Sequence, residues 1–456
     1  MSGHQPELFH PGVWVKNFAA HSLACQLGGS ALHLVVDNDT VKGTTVRVPT
    51  GSAAEPGVVH LPLDRWQGEI PFEEYLVGDE ALFAGFGRHL TAAVEQVGVR
   101  PLAEDFWRFS VEAAQFTRKL GERIAWARRR QEAAWGCHSL ELPVSRLCQT
   151  ESFYWFACHV LAQLPRFREV YNQALEGYRD RHRLRSRHHP MPPLAHDGDW
   201  LEAPFWLWSE QVPRRRQLFA RQQGQELVLA DRDQWTATLP LAPDREACCA
   251  VEVMEALARQ GIKLRTRALT TTIFSRLCLA DLFMHGLGGA RYDEVTDEII
   301  RKFFHLEPPK FLTLTGSLHL PIVRHDATTE EVRRLQRTVR DLTYNPDRHL
   351  DRQLLSDERL AASVQAKWKH IRSEPGSRAE RRNRFTQIRQ LNEFIAQSVP
   401  GVRDEVVERL DRARAGVRAN AIISNRDWAF CVYPAETLHG FFQPFLETAS
   451  PIEGSS

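Results

Sequence analysis

None of the eight cysteines forms a C-x-x-C pair, and their spacing fits no zinc-ligand, iron–sulfur or disulfide framework. No structural metal is expected, and free thiols point to a reducing, cytoplasmic setting. Net charge is almost absent as well: 58 Lys and Arg face 57 Asp and Glu, leaving +1. That balance argues against nucleic acid as the main partner, since a polyanion draws on a basic footprint. No stretch reaches ~18 uninterrupted apolar residues, and the opening MSGHQPELFHPG has neither a basic nor an apolar leader segment. Membrane insertion is not expected. The glycine fingerprints G-x-G-x-x-G and G-x-x-x-x-G-K-[ST] are missing too. The composition is that of a folded soluble chain of 456 residues, long enough for two or three domains. Its 12 Trp and 24 Phe can fill large cores or line an aromatic cleft.

The densest stretch runs from Ala268 to Asp297. Thr270, Thr271 and Thr272 open it, and an apolar segment follows to Met284. The chain then turns on His285, Gly286, Leu287, Gly288 and Gly289. Closely spaced glycines bring backbone near something, because residues without Cβ permit tight approach. That neighbour is either a ligand or another element of the fold. Arg291, Tyr292, Asp293, Glu294 and Asp297 follow within eight residues of the last glycine. They are candidates for a site or simply solvated charges of a turn.

The beginning reads as the first unit of an α/β sheet. Gly3 to Gly12 is a Pro- and Gly-rich loop carrying His4, Gln5 and His10. Val13 to Leu27 has a helical period, Gly28 and Gly29 end it, and Ala31 to Val36 is a short buried strand. That strand stops at Asp37-Asn38-Asp39. Ligands of such sheets sit beyond the carboxyl ends of the strands. Carboxylates two apart on an extended strand share a side, so Asp37 and Asp39 can share a cleft, or the triplet is a self-capping turn.

Further along, Glu80 to Val97 and Phe106 to Arg130 read as helices, and helical regions follow from Pro143 to Tyr178. A basic run from Tyr178 to His189 holds five arginines and three histidines, a solvated helix end or an anion clamp. Glu202 lies among three tryptophans, where a carboxylate must be paired, perturbed or turned to water. Arg265 and Arg267 are i,i+2 neighbours of one extended segment. Phe311 to Pro321 reads as a strand. From Thr328 the texture becomes highly charged and helical up to Val417, with thin apolar stripes. Ala421 to Pro434 is strand-like and aromatic. The expected architecture is an α/β core with helical additions (1–325), a helical coiled-coil arm (326–418) and a C-terminal segment that returns to the core (419–456). Arm helices of this type gain stability from packing more than from propensity, which predicts a homodimer through the arm.

Several motifs together resemble the bacillithiol-biosynthesis enzymes described as putative cysteine ligases. Their T-G-Q-Q-x-G-L-like opening loop is similar to Gly3, His4, Gln5, Leu8 and Phe9, with His4 in place of the first Gln. Their acidic strand end is answered by Asp37, Asn38 and Asp39, without its histidine. Their Gly-rich turn resembles Gly286, Gly288, Gly289 and Tyr292, and Phe430 to His439 resembles their closing segment. The loop His4-Gln5-Pro6 also resembles WbqC-like proteins. The resemblance implies a Rossmann-like, nucleotidyltransferase-like core with an inserted coiled coil.

The functional expectation is a transferase or ligase for a small molecule of nucleotide, amino-sugar, thiol or amine type. Asp37 and Asp39 would orient or deprotonate the nucleophile, and His285 with Arg291 would stabilise charge on the transferred group. His4, Gln5, His10, Thr271, Gly286, Gly288, Gly289, Tyr292 and Asp293 would bind substrate or a nucleotide, the candidate cofactor. The alternative is a ligand-binding or scaffold protein without catalysis.

Overall fold

The computed structural model describes residues 1–186, 191–244, 246–350, 354–398 and 401–448. Arg187, His188 and His189 of the basic run, and 449–456 of the C-terminal segment, lie outside the described residues.

The chain starts with strand β1 (Ser2–His4), helix α1 (Pro11–Gln26) and strand β2 (Leu32–Val35). Proline at the head of α1 suits a position whose N–H has no helical acceptor. Its first three turns are buried on all sides, so α1 runs through the core instead of along the surface. A hairpin of β3 (Thr45–Gly51) and β4 (Pro56–Pro62) precedes helices α2 (Glu80–Glu95), α3 (Ala103–Glu112) and α4 (Leu120–Ala134). The single helix expected over 106–130 is thus two. The break between them is used for pairing: Leu76 bridges Lys119, and Val77 N–H donates to Arg118 O at 2.8 Å.

After β5 (Leu140–Pro143) come α5 (Val144–Leu147), α6 (Glu151–Ala162) and α7 (Leu164–Arg181). Strands β6 (His196–Asp197), β7 (Trp200–Ser209), β8 (Val212–Gln223), β9 (Glu226–Ala230) and β10 (Thr236–Leu239) form an antiparallel meander. Helix α8 (Cys248–Arg259) then leads to β11 (Ile262–Thr266), which closes that sheet beside β7. Helix α9 (Ala268–Cys278), β12 (Phe283–His285), α10 (Leu287–Ile299) and β13 (Phe311–Thr313) follow. Of the expected strand over 311–321, Phe311–Thr313 pairs with β12 and Leu314 N–H still donates to His285 O at 2.8 Å; beyond them Gly316 O packs on Gly12.

Two sheets organise the body. The first is parallel, five-stranded and flanked by helices, in the order β13-β12-β1-β2-β5. This mixed α/β arrangement is consistent with a general Rossmann-like topology. The antiparallel sheet lies against its carboxyl edge. One core joins Leu34 of the parallel sheet and Val144 of α5 to Phe205, Leu207 and Leu218 of the antiparallel sheet. A second core gathers Trp14 and Phe18 of α1 with Phe430 and Phe442 from the C-terminal segment, where Phe18 and Phe442 stack at 4.0 Å.

Between body and C-terminal segment stands a helical arm of α11 (Thr329–Tyr344), α12 (Glu358–Arg372), α13 (Arg378–Gln397) and α14 (Val402–Ile423). Leu335 and Leu342 of α11 bury against Val406, Leu410 and Ala413 of α14. At the base, Asn420 exchanges hydrogen bonds with His325, whose Nε2 lies 3.0 Å from Ala53 O at the hairpin turn. The strand-like run over 421–434 is not a strand: α14 continues to Ile423, and Phe430–Val432 is one 3-10 turn. Its aromatic residues serve burial, with Phe430 N–H donating to Phe9 O, and α15 (Ala435–Glu447) follows.

Candidate functional site

The carboxyl ends of β1 and β2 open into a cavity of about 280 Å³ whose far wall is the antiparallel sheet. Gln5 enters from the loop after β1, and Asn38 and Asp39 from the turn after β2. Trp206 of β7 and Arg215 of β8 come from the opposite sheet, Tyr171 from α7, and residues 266–271 from the end of β11 and the start of α9.

Polar contacts order the walls. Gln5 Nε2 donates to Asp39 Oδ2 at 2.8 Å, and Arg215 Nη1 lies 2.9 Å from Asp39 Oδ1. Arg267 Nη1 donates to Glu202 Oε1, so the carboxylate among the tryptophans is paired. Both guanidinium groups lie over the ring of Trp206, Arg215 at 4.9 Å and Arg267 at 4.5 Å from its centroid. Each guanidinium thereby gains a cation–π contact with the indole. Asn38 Nδ2 donates to Thr266 O at 2.8 Å, while its buried Oδ1 has no partner.

Of the residues given a catalytic or binding role from the sequence, the cavity brings together Gln5, Asp39 and Thr271, and it is also lined by Asn38, Arg267 and Thr270 of the stretches noted there. Asp37 does not share the side of Asp39. The strand ends at Val35, and in the turn that follows side chains two apart diverge. Asp37 instead caps α5: Ser145 N–H donates to Oδ1 at 2.8 Å and Ser145 Oγ to Oδ2 at 2.5 Å. Burial first, and the Glu73 carboxylate second, raise Asp37 to about 7, against the two Ser145 hydrogen bonds. Arg265 and Arg267 part in the same way, because β11 ends at Thr266 and Arg267 is already the N-cap of α9.

His4 stands at the end of β1 but packs edge-on against Phe9, at 4.9 Å between ring centroids. Burial, then the Lys16 ammonium, push its imidazole down to about 3, so it is neutral at physiological pH. His10 is the N-terminal neighbour of α1 and is also lowered by burial. The glycine turn serves a strand-to-helix junction. A Cβ at Gly289 would meet His285 Nδ1 at 2.7 Å, so α10 crosses the imidazole at a distance only glycine allows. Gly286 is the N-cap of α10, and Gly288 has open space around its Cα. His285 is buried, stacks on Phe283 at 4.4 Å and points Nε2 at Asp293, which also receives Arg276. Arg291 is exposed and Tyr292 half-buried on α10. None of the residues from His285 to Asp293 lines the cavity.

The residues passed over by sequence reasoning as site candidates are Arg215, Trp206 and Tyr171, which converge from three elements distant in the chain. The isolated Glu202 was the available signal, since a carboxylate among tryptophans requires a cation, and Arg267 supplies it.

Asp37 yields a pH prediction. Its folded value of about 7 exceeds the ordinary ~3.9 of an unfolded aspartate. Between those limits the native state holds a proton that the unfolded chain releases, so this group's contribution is full below ~4 and is lost as pH rises through 7. Asp37→Asn keeps an acceptor for Ser145 N–H and removes the titration. Urea unfolding at pH 5 and pH 8 is expected to show wild type losing more stability across that interval than Asp37→Asn. Equal losses would refute the assignment.

Among the described residues no cluster of three or more His, Cys, Asp or Glu is placed to hold a metal ion. No helix of the described residues is long and apolar enough to cross a membrane. Compared with known families and with characterised proteins, this chain matches no family model and no curated protein.

Proposed function

We propose that this protein is a small-molecule transferase or ligase whose substrate lies in the cavity beyond β1 and β2. The observation that carries the reading is the convergence of Gln5, Asn38, Asp39, Arg215 and Arg267 with the start of α9 in one half-enclosed space. Asp39, oriented by Gln5 and Arg215, would accept a hydrogen bond from an amine, thiol or hydroxyl nucleophile. Arg267 and the first turn of α9 would face the charge that develops on the transferred group. These take the roles first given to His285 and Arg291, which lie elsewhere. The resemblance to the cysteine-adding enzymes of bacillithiol biosynthesis favours the same class, with a nucleotidyltransferase-like core, a coiled-coil arm and a nucleotide as candidate cofactor. Calorimetric titration of nucleotides, cysteine and amino sugars is the test. Binding of at least one, weakened about tenfold in Asp39→Ala, is expected. A panel with no binding at all would overturn the reading, and binding without turnover of any substrate pair would leave the ligand-binding alternative.

Homodimerisation through the arm belongs to this reading. It is favoured by large apolar side chains exposed on α12 and α13, Trp368, Ile371, Phe385 and Phe394, of which Phe385 is 65% exposed.

A further inference from the structure

We infer that the substrate cavity proposed above takes the carboxylate of a small organic acid with an apolar body, held between the Tyr171 hydroxyl and the Arg267 guanidinium. The assignment rests on that reading of the cavity and names the class of one substrate. A phenol without a partner carries it. Tyr171 comes from α7, is 4% exposed and lines the cavity. Its hydroxyl has no hydrogen-bond partner among the described residues, yet it is not sealed in the core as Asn38 Oδ1 is. The oxygen therefore opens on the space that the residue lines. A buried tyrosine ordinarily gives its O–H to an acceptor, because an unmade bond costs the desolvation of the group. Packing does not call for the hydroxyl: the buried residues one turn away on either side, Phe167 and Leu175, are apolar, so phenylalanine would fill the same place.

Arg267 supplies the second donor. Its Nη1 goes to Glu202, while Nε and Nη2 have no hydrogen-bond partner among the described residues and are not sealed in the core either. The guanidinium lies over Trp206 at 4.5 Å, which fixes its plane before a ligand arrives. After burial, the groups that act on the Tyr171 hydroxyl are Arg267 first, then Glu202 and Arg179. Burial outweighs the two guanidinium groups and raises the phenol to about 12, so it remains a donor at physiological pH.

Two guanidinium groups against one carboxylate favour a ligand acceptor with negative charge. The Nε–Nη2 edge matches a planar carboxylate side-on, and the Tyr171 O–H reaches a remaining lone pair of the same group. A phosphate dianion would instead place a second negative charge close to Glu202. Val36, Met191, Pro192 and Leu269 line the rest of the space and suit a hydrocarbon body.

Hexanoate, hexanamide and inorganic phosphate, titrated calorimetrically into the full chain and two variants, provide the test. Hexanoate is expected to bind at millimolar concentration, hexanamide at least about tenfold more weakly, and phosphate not to displace hexanoate. Tyr171→Phe removes one oxygen and keeps the ring, and should weaken hexanoate about tenfold. The thermal midpoint of this variant without ligand should be unchanged or higher, since the hydroxyl has no partner to lose. Arg267→Lys keeps a charge beside Glu202 but loses the planar fork, and should weaken hexanoate by a similar factor. Hexanamide binding as tightly as hexanoate, displacement by phosphate, or equal hexanoate affinity in Tyr171→Phe would each overturn the inference. A lowered midpoint in Tyr171→Phe would do the same, because the hydroxyl would then be bonded within the fold. A nucleotide or amino sugar that binds, and binds less in Asp39→Ala, while hexanoate does not bind would overturn it and leave the transferase reading standing. Hexanoate binding that is lost in Tyr171→Phe, with no nucleotide, cysteine or amino sugar bound, would uphold the carboxylate site and overturn that reading.

Discussion

Glu73→Ala is expected to destabilise the fold by about 3–5 kcal/mol, the cost of leaving one member of a buried ion pair without its partner. Arg265 Nε and Nη2 donate to the two oxygens of Glu73 at 2.8 Å each, and the two side chains are 2% and 4% exposed. The pair joins β11 of the antiparallel sheet to the loop between β4 and α2, which is tied to the turn after β2 by Glu73 N–H donating to Asp37 O. It therefore couples the two sheets that form the cavity. Urea unfolding should show a lower midpoint at an unchanged slope. The double variant Glu73→Leu with Arg265→Met removes both charges, and it should recover much of the loss. A single variant within about 1 kcal/mol of wild type would mean that water reaches the pair and that the sheets are held by apolar contact alone.

Lys367→Ala should produce a loss of the same order, about 3–5 kcal/mol, confined to the arm. Lys367 is 1% exposed although it lies on a charged helix. Its ammonium bonds to Asp347, 6% exposed, and to Tyr344 O at 3.1 Å, where Asn392 Nδ2 also donates at 2.9 Å. These contacts tie α12 and α13 to the end of α11. The arm has only a small apolar cluster of its own, so an uncompensated Asp347 should open it locally before the body unfolds. Limited proteolysis is expected to cut the variant within the arm while residues of the body stay protected. If the arm supplies the dimer contact, sedimentation of Lys367→Ala will shift toward a 52.2 kDa monomer. Unchanged protease resistance would show that the helices are held by other contacts.

Much of the body was legible because its first elements obey local rules. The proline at the head of α1, the Gly28-Gly29 stop and the short run ending before Asp37 delimit a helix and strand that the structure contains. The arm was legible for a similar reason, as charged sequence with thin apolar stripes has few alternatives to helix. Short apolar runs were less informative. Residues 421–434 have the composition of a strand, yet they end one helix and fill a core, since periodicity alone cannot separate a buried strand from other buried segments.

The site divides along the same line. Asp39 was found because it sits just past a strand of an α/β unit, a position set by local order along the chain, whereas Gln5 was found through the opening-loop motif, residues 3–12 having read as a loop without strand β1. The glycines near His285 announced a close approach, and there is one, but the partner is an imidazole of the preceding strand instead of a ligand. Sequence determines that backbone comes near something; it does not determine what. Arg215, Trp206 and Tyr171 come from β8, β7 and α7, and nothing in their own neighbourhoods says that they meet Asp39. Only the packing of the antiparallel sheet on the carboxyl edge of the parallel one brings them there, because that packing is driven by the shared apolar core and its buried ion pair. Local rules therefore placed the first wall of the cavity, and long-range burial decided the second.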